Sequence, residues 1–220
     1  MRSYIKALIF DLDGTLADTI PSICEAINMT MEKLELPTHT ENDIRNAIGH
    51  GPRHLITELI PREIRDENPD IVDKALSVYD QMYSKTYMHV DRLYDGLEGA
   101  ILELSKYYKI AVLSNKQDEY VKALVKQLLP AGICEIARGS IDGVPAKPDP
   151  SVARMIAHEL GADTHECMII GDSDIDIQTA EYAECDILSV SWGYVSKTKL
   201  VLHGAQEIIN SPYELVEYFK

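Results

Sequence analysis

Short apolar runs alternate with helical patterns over most of the chain. Each run is followed by turn or helix-cap residues, and each predicts a buried strand. The runs are Ile5–Phe10, Ile110–Leu113, Cys134–Ala137, Met168–Ile170 and Ile187–Val190. Because they are continuously apolar instead of alternating with polar residues, they are typical of a parallel sheet that is covered on both faces.

The segments between these runs carry apolar residues at three- and four-residue spacings, which predicts helices. They are Leu97–Tyr107, Glu119–Leu129, Ser151–Leu160 and Ile175–Ala183. A further helix is predicted to open at Ser211–Glu214, where the spacing of Ser211 and Glu214 is that of a capping box. Strands that alternate with helices predict an α/β fold, a Rossmann-like open parallel sheet with right-handed crossovers.

The stretch between Leu16 and Asp91 breaks this alternation, because it contains helical patterns and no convincing strand. The helical patterns are Ile20–Leu34, Glu41–Ile48, Leu55–Ile60 and Ile71–Met88, and they are separated by Pro37, Gly49, Gly51, Pro61 and Pro69. We therefore predict a small all-helical cap domain at residues 17–91, inserted after the first strand. The α/β core domain would comprise residues 1–16 and 92–220, with hinges near Leu16–Pro21 and Asp91–Gly96.

The overall charge narrows the choice of partners. The 220 residues carry a formal net charge of −15 and are 45% hydrophobic, which fits a globular chain with a buried core. An acidic chain repels nucleic acid and anionic membranes, so we expect neither as a partner. A small anion can still bind where a few cations and a metal converge, so the expected partner is a small phosphorylated metabolite. The sequence leaves monomer or homodimer open.

The cysteines and the N-terminus predict a cytoplasmic protein. The cysteines are Cys24, Cys134, Cys167 and Cys185. They are widely spaced and form no CxxC pair, which argues against a zinc site and fits a reducing compartment. The first apolar run is too short for a signal peptide, and no run approaches the ~20 residues of a membrane span.

Two acidic groups follow predicted strands. Asp11 and Asp13 come directly after Ile5–Phe10, where extended backbone would point both side chains the same way. Gly14 permits a sharp turn, and a solvated Asp-Gly turn is the alternative. The carboxyl ends of parallel strands are where such sheets build their sites.

The second acidic group is Asp172, Asp174 and Asp176, which follow Met168–Ile170. Carboxylates from both strand ends could converge on a hard cation, and Mg²⁺ prefers oxygen ligands. The alternative is a helix cap formed by Asp172 or Ser173, and both interpretations can hold together.

Two further segments could bind phosphate. Ser114, Asn115 and Lys116 follow a strand, where a hydroxyl, an amide and backbone N–H groups can hold an anion. Lys147 lies in a loop stiffened by two prolines and could neutralise a phosphoryl group. A plain loop turn and a surface lysine are the alternatives.

Together the four segments resemble the motifs of the haloacid dehalogenase-like hydrolase superfamily, in order and each after a predicted strand. The helical insert resembles the cap of its phosphoglycolate phosphatase-like branch. Further similarities are DGTLADT (13–19), IGHG (48–51), YDGLEGAI (94–101), AKPDP (146–150) and SWGY (191–194). One departure is Glu184, where the branch usually has glycine.

The resemblance implies a role for each matching residue. Asp11 would be the nucleophile and a Mg²⁺ ligand, and Asp13 the general acid/base with its carbonyl on the metal. Asp172 would be the third metal ligand. Phosphate would be bound by Ser114, Asn115 and Lys147, of which Lys147 is also catalytic, and the supporting residues are Thr15 and Asp176. Asp176 would orient Lys147 or support the metal.

In such enzymes the cap closes over the site and reads the leaving group, and the best candidates here are His50 and Arg53. The resemblance implies a Mg²⁺-dependent phosphatase for a phosphoglycolate-like monoester. A β-phosphoglucomutase-like phosphotransferase and a pyrophosphatase of the same superfamily are alternatives, and a non-catalytic binding protein on this fold is a further one.

Overall fold

The computed structural model describes residues 4–90 and 92–220. Strand β1, Ala7–Phe10, is followed by a run of helices without strands. These helices are α1 (Ile20–Lys33), α2 (Glu41–Ala47), α3 (Pro52–Leu59), α4 (Arg62–Glu67) and α5 (Ile71–Thr86). Helices and strands then alternate to the end of the chain. They are α6 (Leu97–Leu104), β2 (Lys109–Gln117), α7 (Asp118–Leu128), β3 (Cys134–Ser140), α8 (Ser151–Glu159), β4 (Cys167–Gly171), α9 (Asp174–Ala183), β5 (Asp186–Val190), α10 (Lys197–Leu202), β6 (Ile208–Ile209) and α11 (Leu215–Phe219).

Within the described residues the strands form one six-stranded sheet in the order β3-β2-β1-β4-β5-β6. Every neighbouring pair is parallel, and every residue of β1 and of β4 is buried. The predicted fold class, an open parallel α/β sheet with a helical insert after its first strand, is confirmed. Strand β6 was not predicted because its two residues are too few to show a pattern.

The strand order reverses beside β1, and this positions the site. The chain runs outward from β1 through β2 to β3, and then returns to the other side of β1 with β4. The registers pair Phe10 with Val112 on one side and with Ile170 on the other. The loops that follow β1, β2 and β4 therefore leave the same edge of the sheet. At such a switch point the loops diverge and form a crevice.

One face of the sheet is covered by α8 and α9. Ile156 of α8 and Ala180 of α9 belong to a buried apolar cluster with Ile9, Leu113 and Ile169 of the central strands. Burial of such side chains contributes roughly 1.5–3 kcal/mol for each large one. This packing fixes the ends of β1 and β4, from which the loops that carry Asp11 and Asp172 begin.

Several local details differ from the sequence interpretation. Strand β2 continues through Gln117, so that Ser114, Asn115 and Lys116 lie within the strand and do not follow it. Helix α10 was not predicted. The predicted capping box at Ser211 is wrong: a 3₁₀ turn over Pro212–Glu214 precedes α11 and places the N–H of Tyr213, instead of that of Glu214, within 3.3 Å of the Ser211 hydroxyl. Glu184 ends α9 in the left-handed conformation, with φ of 62°. Glycine favours that conformation, so the departure from glycine noted in the sequence falls at a position where the backbone is left-handed.

The chain divides into two compact units, Met1–Asp18 with Arg92–Lys220, and Thr19–Asp91. Asp91, at the predicted hinge, and Met1–Ser3 lie outside the described residues. Whether the units act as catalytic core and cap stays a prediction. In the second unit, helix α4 was not predicted because it has no buried residue and therefore no apolar pattern.

The helical unit contains a side-chain clamp between α1 and the loop that follows it. The Asn28 amide donates to the carbonyl of His39 (2.9 Å) and accepts from its N–H (2.8 Å).

Across the residues that the structure describes, no helix is both long enough and apolar enough to cross a membrane.

Candidate active site

The chain turns sharply after β1, so that several polar groups are held at the strand end. Asp11 follows the last residue of the strand, and its N–H donates to the carbonyl of Ile170 in β4 (2.9 Å). Gly14 has a φ of 85°, a conformation that favours glycine. Its N–H donates to the carbonyl of Ala17 (3.0 Å), which closes the turn.

Asp172 is packed between two glycines. A Cβ on Gly14 would lie 2.5 Å from Oδ2 of Asp172, and a Cβ on Gly193 would lie 2.3 Å from the same atom. The Asp172 carboxylate accepts from the Thr15 hydroxyl (3.1 Å) and from the N–H of Tyr194 (2.6 Å). These contacts fix the carboxylate beside the turn that carries Asp11.

Residues 191–194 form a loop that hydrogen-bonds to Asp172 and to the turn after β1. Besides the Tyr194 N–H, the indole of Trp192 donates to the carbonyl of Thr15 (3.1 Å). The SWGY segment therefore contacts both Thr15 and Asp172 in the folded chain.

Three carboxylates meet at the ends of β1 and β4. One oxygen each from Asp11, Asp172 and Asp176 lies within 4.8 Å of the others, and all three residues are buried. The ammonium of Lys147 lies 2.9 Å from Oδ1 of Asp11 and 2.7 Å from Oδ1 of Asp176. Lys147 is itself nearly buried, so its charge is balanced mainly by these two acids.

Ser173 and Lys147 divide the oxygens of Asp176 between them. Oδ2 accepts from the hydroxyl (2.6 Å) and the N–H (3.2 Å) of Ser173, while Oδ1 accepts from Lys147. Ser173 caps α9, as one sequence interpretation expected. A Cβ on Gly171 would lie 2.2 Å from Cγ of Asp176, so glycine is needed for this close approach.

Burial and like charge raise the pKa values of the acids. The pKa of Asp172 is raised to about 7, mainly by burial and further by the charge of Asp176. The hydrogen bonds from the N–H of Tyr194 and the hydroxyl of Thr15 oppose this rise. Burial also raises the pKa of Asp11 well above its ordinary value, although Lys147 opposes this. Burial alone would lower the pKa of Lys147, but Asp11 and Asp176 outweigh it and raise that pKa.

Asn115 positions the loop that carries Lys147. Its amide donates to the carbonyl of Lys147 (2.9 Å) and accepts from the N–H of Lys147 (2.8 Å). This side-chain contact was not expected from the sequence, which suggested a direct role in phosphate binding. That role stays a prediction for Asn115. Ser114 is buried at the same strand end, and its hydroxyl accepts from the N–H of Lys116 (3.2 Å).

Asp13 is held separately from the three-acid cluster. Its Oδ1 lies 3.0 Å from the ammonium of Lys116, and both side chains are largely buried. Lys116 was part of the segment singled out in the sequence, but no separate role was predicted for it.

Comparisons with known proteins agree with this geometry. A sequence model described as haloacid dehalogenase-like hydrolase matches residues 5–184. The chain belongs to the haloacid dehalogenase-like hydrolases. It resembles phosphoglycolate phosphatases of Mesorhizobium japonicum (31% identity, 86% of this chain and 84% of the relative) and Yersinia pseudotuberculosis (29%, 86% and 82%). The predicted membership in the phosphoglycolate phosphatase-like branch of the family is confirmed.

A solved structure supports the same placement in this family. A Lactobacillus delbrueckii protein, provisionally assigned as a phosphoglycolate phosphatase, is 31% identical, with a TM-score of 0.88 and coverage of 97% of each chain. The similarity therefore extends over both units.

The cluster of this family member is suited to a divalent cation. Asp11, Asp172 and Asp176 with Lys147 would carry a net charge of −2 when all are ionised, and they are buried together. A buried excess of negative charge is costly, and a hard cation with oxygen ligands would relieve it. Both oxygens of Asp176 accept from Lys147 and Ser173, and both oxygens of Asp172 accept from Thr15 and the N–H of Tyr194. The roles of Asp11 and Asp172 as metal ligands stay predictions.

The predicted substrate-reading residues of the helical unit are in other contacts. Arg53 donates to Oδ1 of Asp73 (2.7 Å), and both side chains are more than half exposed. The ring of His50 lies against that of His54, with 4.8 Å between centroids. An exposed ion pair of this kind contributes little to stability. The roles of His50 and Arg53 stay predictions.

Proposed function

We propose that this chain is a Mg²⁺-dependent phosphatase that hydrolyses a small phosphate monoester through an aspartyl-phosphate on Asp11. The observation that carries the proposal is the placement of Asp11, which sits at a strand end within 2.9 Å of the Lys147 ammonium and beside the buried carboxylates of Asp172 and Asp176. An acid beside a fixed cation and a metal-binding cluster is suited to attack on phosphorus.

In the first half-reaction a carboxylate oxygen of Asp11 attacks the phosphorus, and the bond from phosphorus to the alcohol oxygen breaks. Asp13 donates its proton to the departing oxygen. Ser114 and Lys147 hold the oxygens of the transferring group. Since the transition state of phosphoryl transfer is loose, positioning and charge neutralisation provide most of the catalysis.

In the second half-reaction Asp13, now a carboxylate, removes a proton from water. The water oxygen attacks the phosphorus, the bond to Asp11 breaks, and inorganic phosphate leaves. Each turnover restores the Asp11 carboxylate and the proton of Asp13. General acid–base help of this kind is typically worth ~10² to 10⁴ in rate.

Asp11, Asp172 and the backbone carbonyl of Asp13 are the proposed holders of Mg²⁺, with Asp176 keeping Lys147 in place. When bound, Mg²⁺ would screen the charge of the phosphate dianion from that of Asp11. Without such screening, two anions ~4 Å apart at an effective dielectric constant near 20 repel by roughly 4 kcal/mol.

Phosphoglycolate is the substrate we propose first, because several relatives are named phosphoglycolate phosphatase. The proposed partner is therefore a small phosphorylated metabolite, bound by a monomer or homodimer in the cytoplasm. The acidic charge of −15 argues against nucleic acid and membrane partners.

The test is phosphate release from a panel of 2-phosphoglycolate, p-nitrophenyl phosphate, pyrophosphate and β-glucose 1-phosphate, with Mg²⁺ or with EDTA. Asp11→Asn should lower the rate by at least ~10³-fold, since the amide is a poor nucleophile. Asp174→Asn is the matched control, because Asp174 lies in the same acidic segment but its side chain contacts Gln178 instead of the cluster.

Full activity of Asp11→Asn would refute the nucleophile, and full activity in EDTA would refute the metal. Steady conversion of the sugar phosphate to an isomer, without phosphate release, would instead favour the mutase, and a preference for pyrophosphate would favour the pyrophosphatase.

A further inference from the structure

Lys116 is nearly buried and faces Asp13. Its ammonium lies 3.0 Å from Oδ1 of Asp13, and the side chains are 6% and 15% exposed, respectively. A buried ammonium is costly unless it is paired and hydrogen-bonded. The ion pair is therefore a feature that the fold maintains at a cost in desolvation, and a role is to be expected for it.

The backbone of Lys116 is held rigidly at the end of β2. Its N–H donates to the hydroxyl of Ser114 (3.2 Å). The neighbouring strand approaches so closely that a Cβ on Gly139 would lie 2.4 Å from the carbonyl oxygen of Lys116. A lysine on such a support has fewer alternative positions for its ammonium than one on an exposed helix.

The acids of the first motif are paired with different lysines. Lys147 contacts Asp11 and Asp176, whereas Lys116 contacts Asp13. The acid proposed as nucleophile and the acid proposed for proton transfer are therefore paired with separate cations, one in a loop and one at the end of β2. This separation allows one acid to be perturbed without moving the other.

We propose that Lys116 is a positioning residue for Asp13: by binding Oδ1, it prevents rotation of the carboxyl group and aims it at the oxygen of the leaving group. The inference rests on the proposed function, because it needs Asp13 as the proton donor. Lys116 itself transfers no proton and forms no bond to the substrate. Its removal therefore slows the first half-reaction only where the leaving group requires a proton, whereas it slows the second half-reaction, in which Asp13 takes a proton from water, for every substrate.

The test compares Lys116→Met with the parent protein on three Mg²⁺-supported substrates. Ethyl phosphate has a basic, uncharged leaving group. 2-Phosphoglycolate has a basic leaving group that also bears a carboxylate, and p-nitrophenyl phosphate has a leaving group that departs without a proton. Lys122→Met is the matched control, because Lys122 also pairs with an aspartate, Asp118, but is half-exposed on α7.

The value of kcat/KM reports the first half-reaction, in which the leaving group departs. For Lys116→Met we expect a loss of ~100-fold with ethyl phosphate and with 2-phosphoglycolate, of the size of lost acid catalysis, and a loss below about 5-fold with p-nitrophenyl phosphate. Because water attack also needs Asp13, kcat should fall towards one common value for all three substrates. Lys122→Met should match the parent.

Three outcomes would overturn the inference. Equal losses of kcat/KM on all three substrates would mean that Lys116 acts on the phosphoryl group or on the fold. A loss confined to 2-phosphoglycolate would mean that it binds the substrate carboxylate. No loss at all would mean that the ion pair has no part in the reaction.

Two controls keep the test decisive. If Lys116→Met gives no folded protein, Lys116→Gln is measured against the same expectations, since its shorter amide cannot replace the ammonium. If the parent protein releases no phosphate from any of the three substrates, the proposed function fails, and the role of Lys116 fails with it. That result is distinguishable, because it requires no variant.

Discussion

Asn115 provides a quantitative test of how the site is built, because its amide clamps the backbone of Lys147 from both sides. Asn115→Ala removes two hydrogen bonds, of 2.9 and 2.8 Å. Each hydrogen bond is worth about 1 kcal/mol net, and a buried group left without a partner adds to the loss. We expect the free energy of unfolding to fall by ~2–4 kcal/mol.

The chain contains a matched control for this substitution. Asn28 makes the same pair of hydrogen bonds with the backbone of His39, also at 2.9 and 2.8 Å, within the helical unit. Asn28→Ala should therefore lose a similar amount of stability, or somewhat less because Asn28 is only half-buried. Urea denaturation followed by circular dichroism measures both losses.

The two variants should differ in catalysis. Displacement of a reacting group by ~1 Å can cost ~10²-fold in rate, so loss of the clamp on Lys147 should lower kcat by ~10- to 100-fold with p-nitrophenyl phosphate. Asn28→Ala should keep kcat within about 2-fold of the parent. The reasoning would be refuted if Asn115→Ala lost stability as expected yet kept the kcat of Asn28→Ala.

Two further predictions concern the surroundings of Asp172. Gly193→Ala should lower Mg²⁺ affinity by at least ~10-fold by calorimetry, since its Cβ would lie 2.3 Å from Asp172 Oδ2; unchanged affinity would contradict the close approach. In EDTA, folded Asp172, with its pKa raised from 3.8 to about 7, keeps a proton that the unfolded chain loses. Its stabilising contribution is complete below pH ~4 and should fall by ~1.4 kcal/mol per pH unit between pH 5 and 7. Denaturation of Asp172→Asn should lack this part of the slope; an identical slope would reject the assignment.

Local sequence pattern was sufficient for the fold and for the position of the motifs. A strand buried on both faces must be apolar at successive positions, so β1 and β4 are visible in the sequence, and the acids that follow them stand out. Asp11 and Asp172 were singled out in this way and Lys147 by its proline-flanked loop, and the folded chain brings the three together. Strand β6 was not predicted because two residues show no periodicity, and α4 was not predicted because none of its residues is buried.

The partners of these groups were decided by the tertiary structure. Lys147 contacts Asp11 across more than half of the chain, Asn115 binds the backbone of Lys147, and Lys116 pairs with Asp13. The reason is physical. Periodicity reports which face of an element is buried, whereas a hydrogen bond depends on the register of neighbouring strands and on the path of each loop, and these are set only when the whole sheet packs.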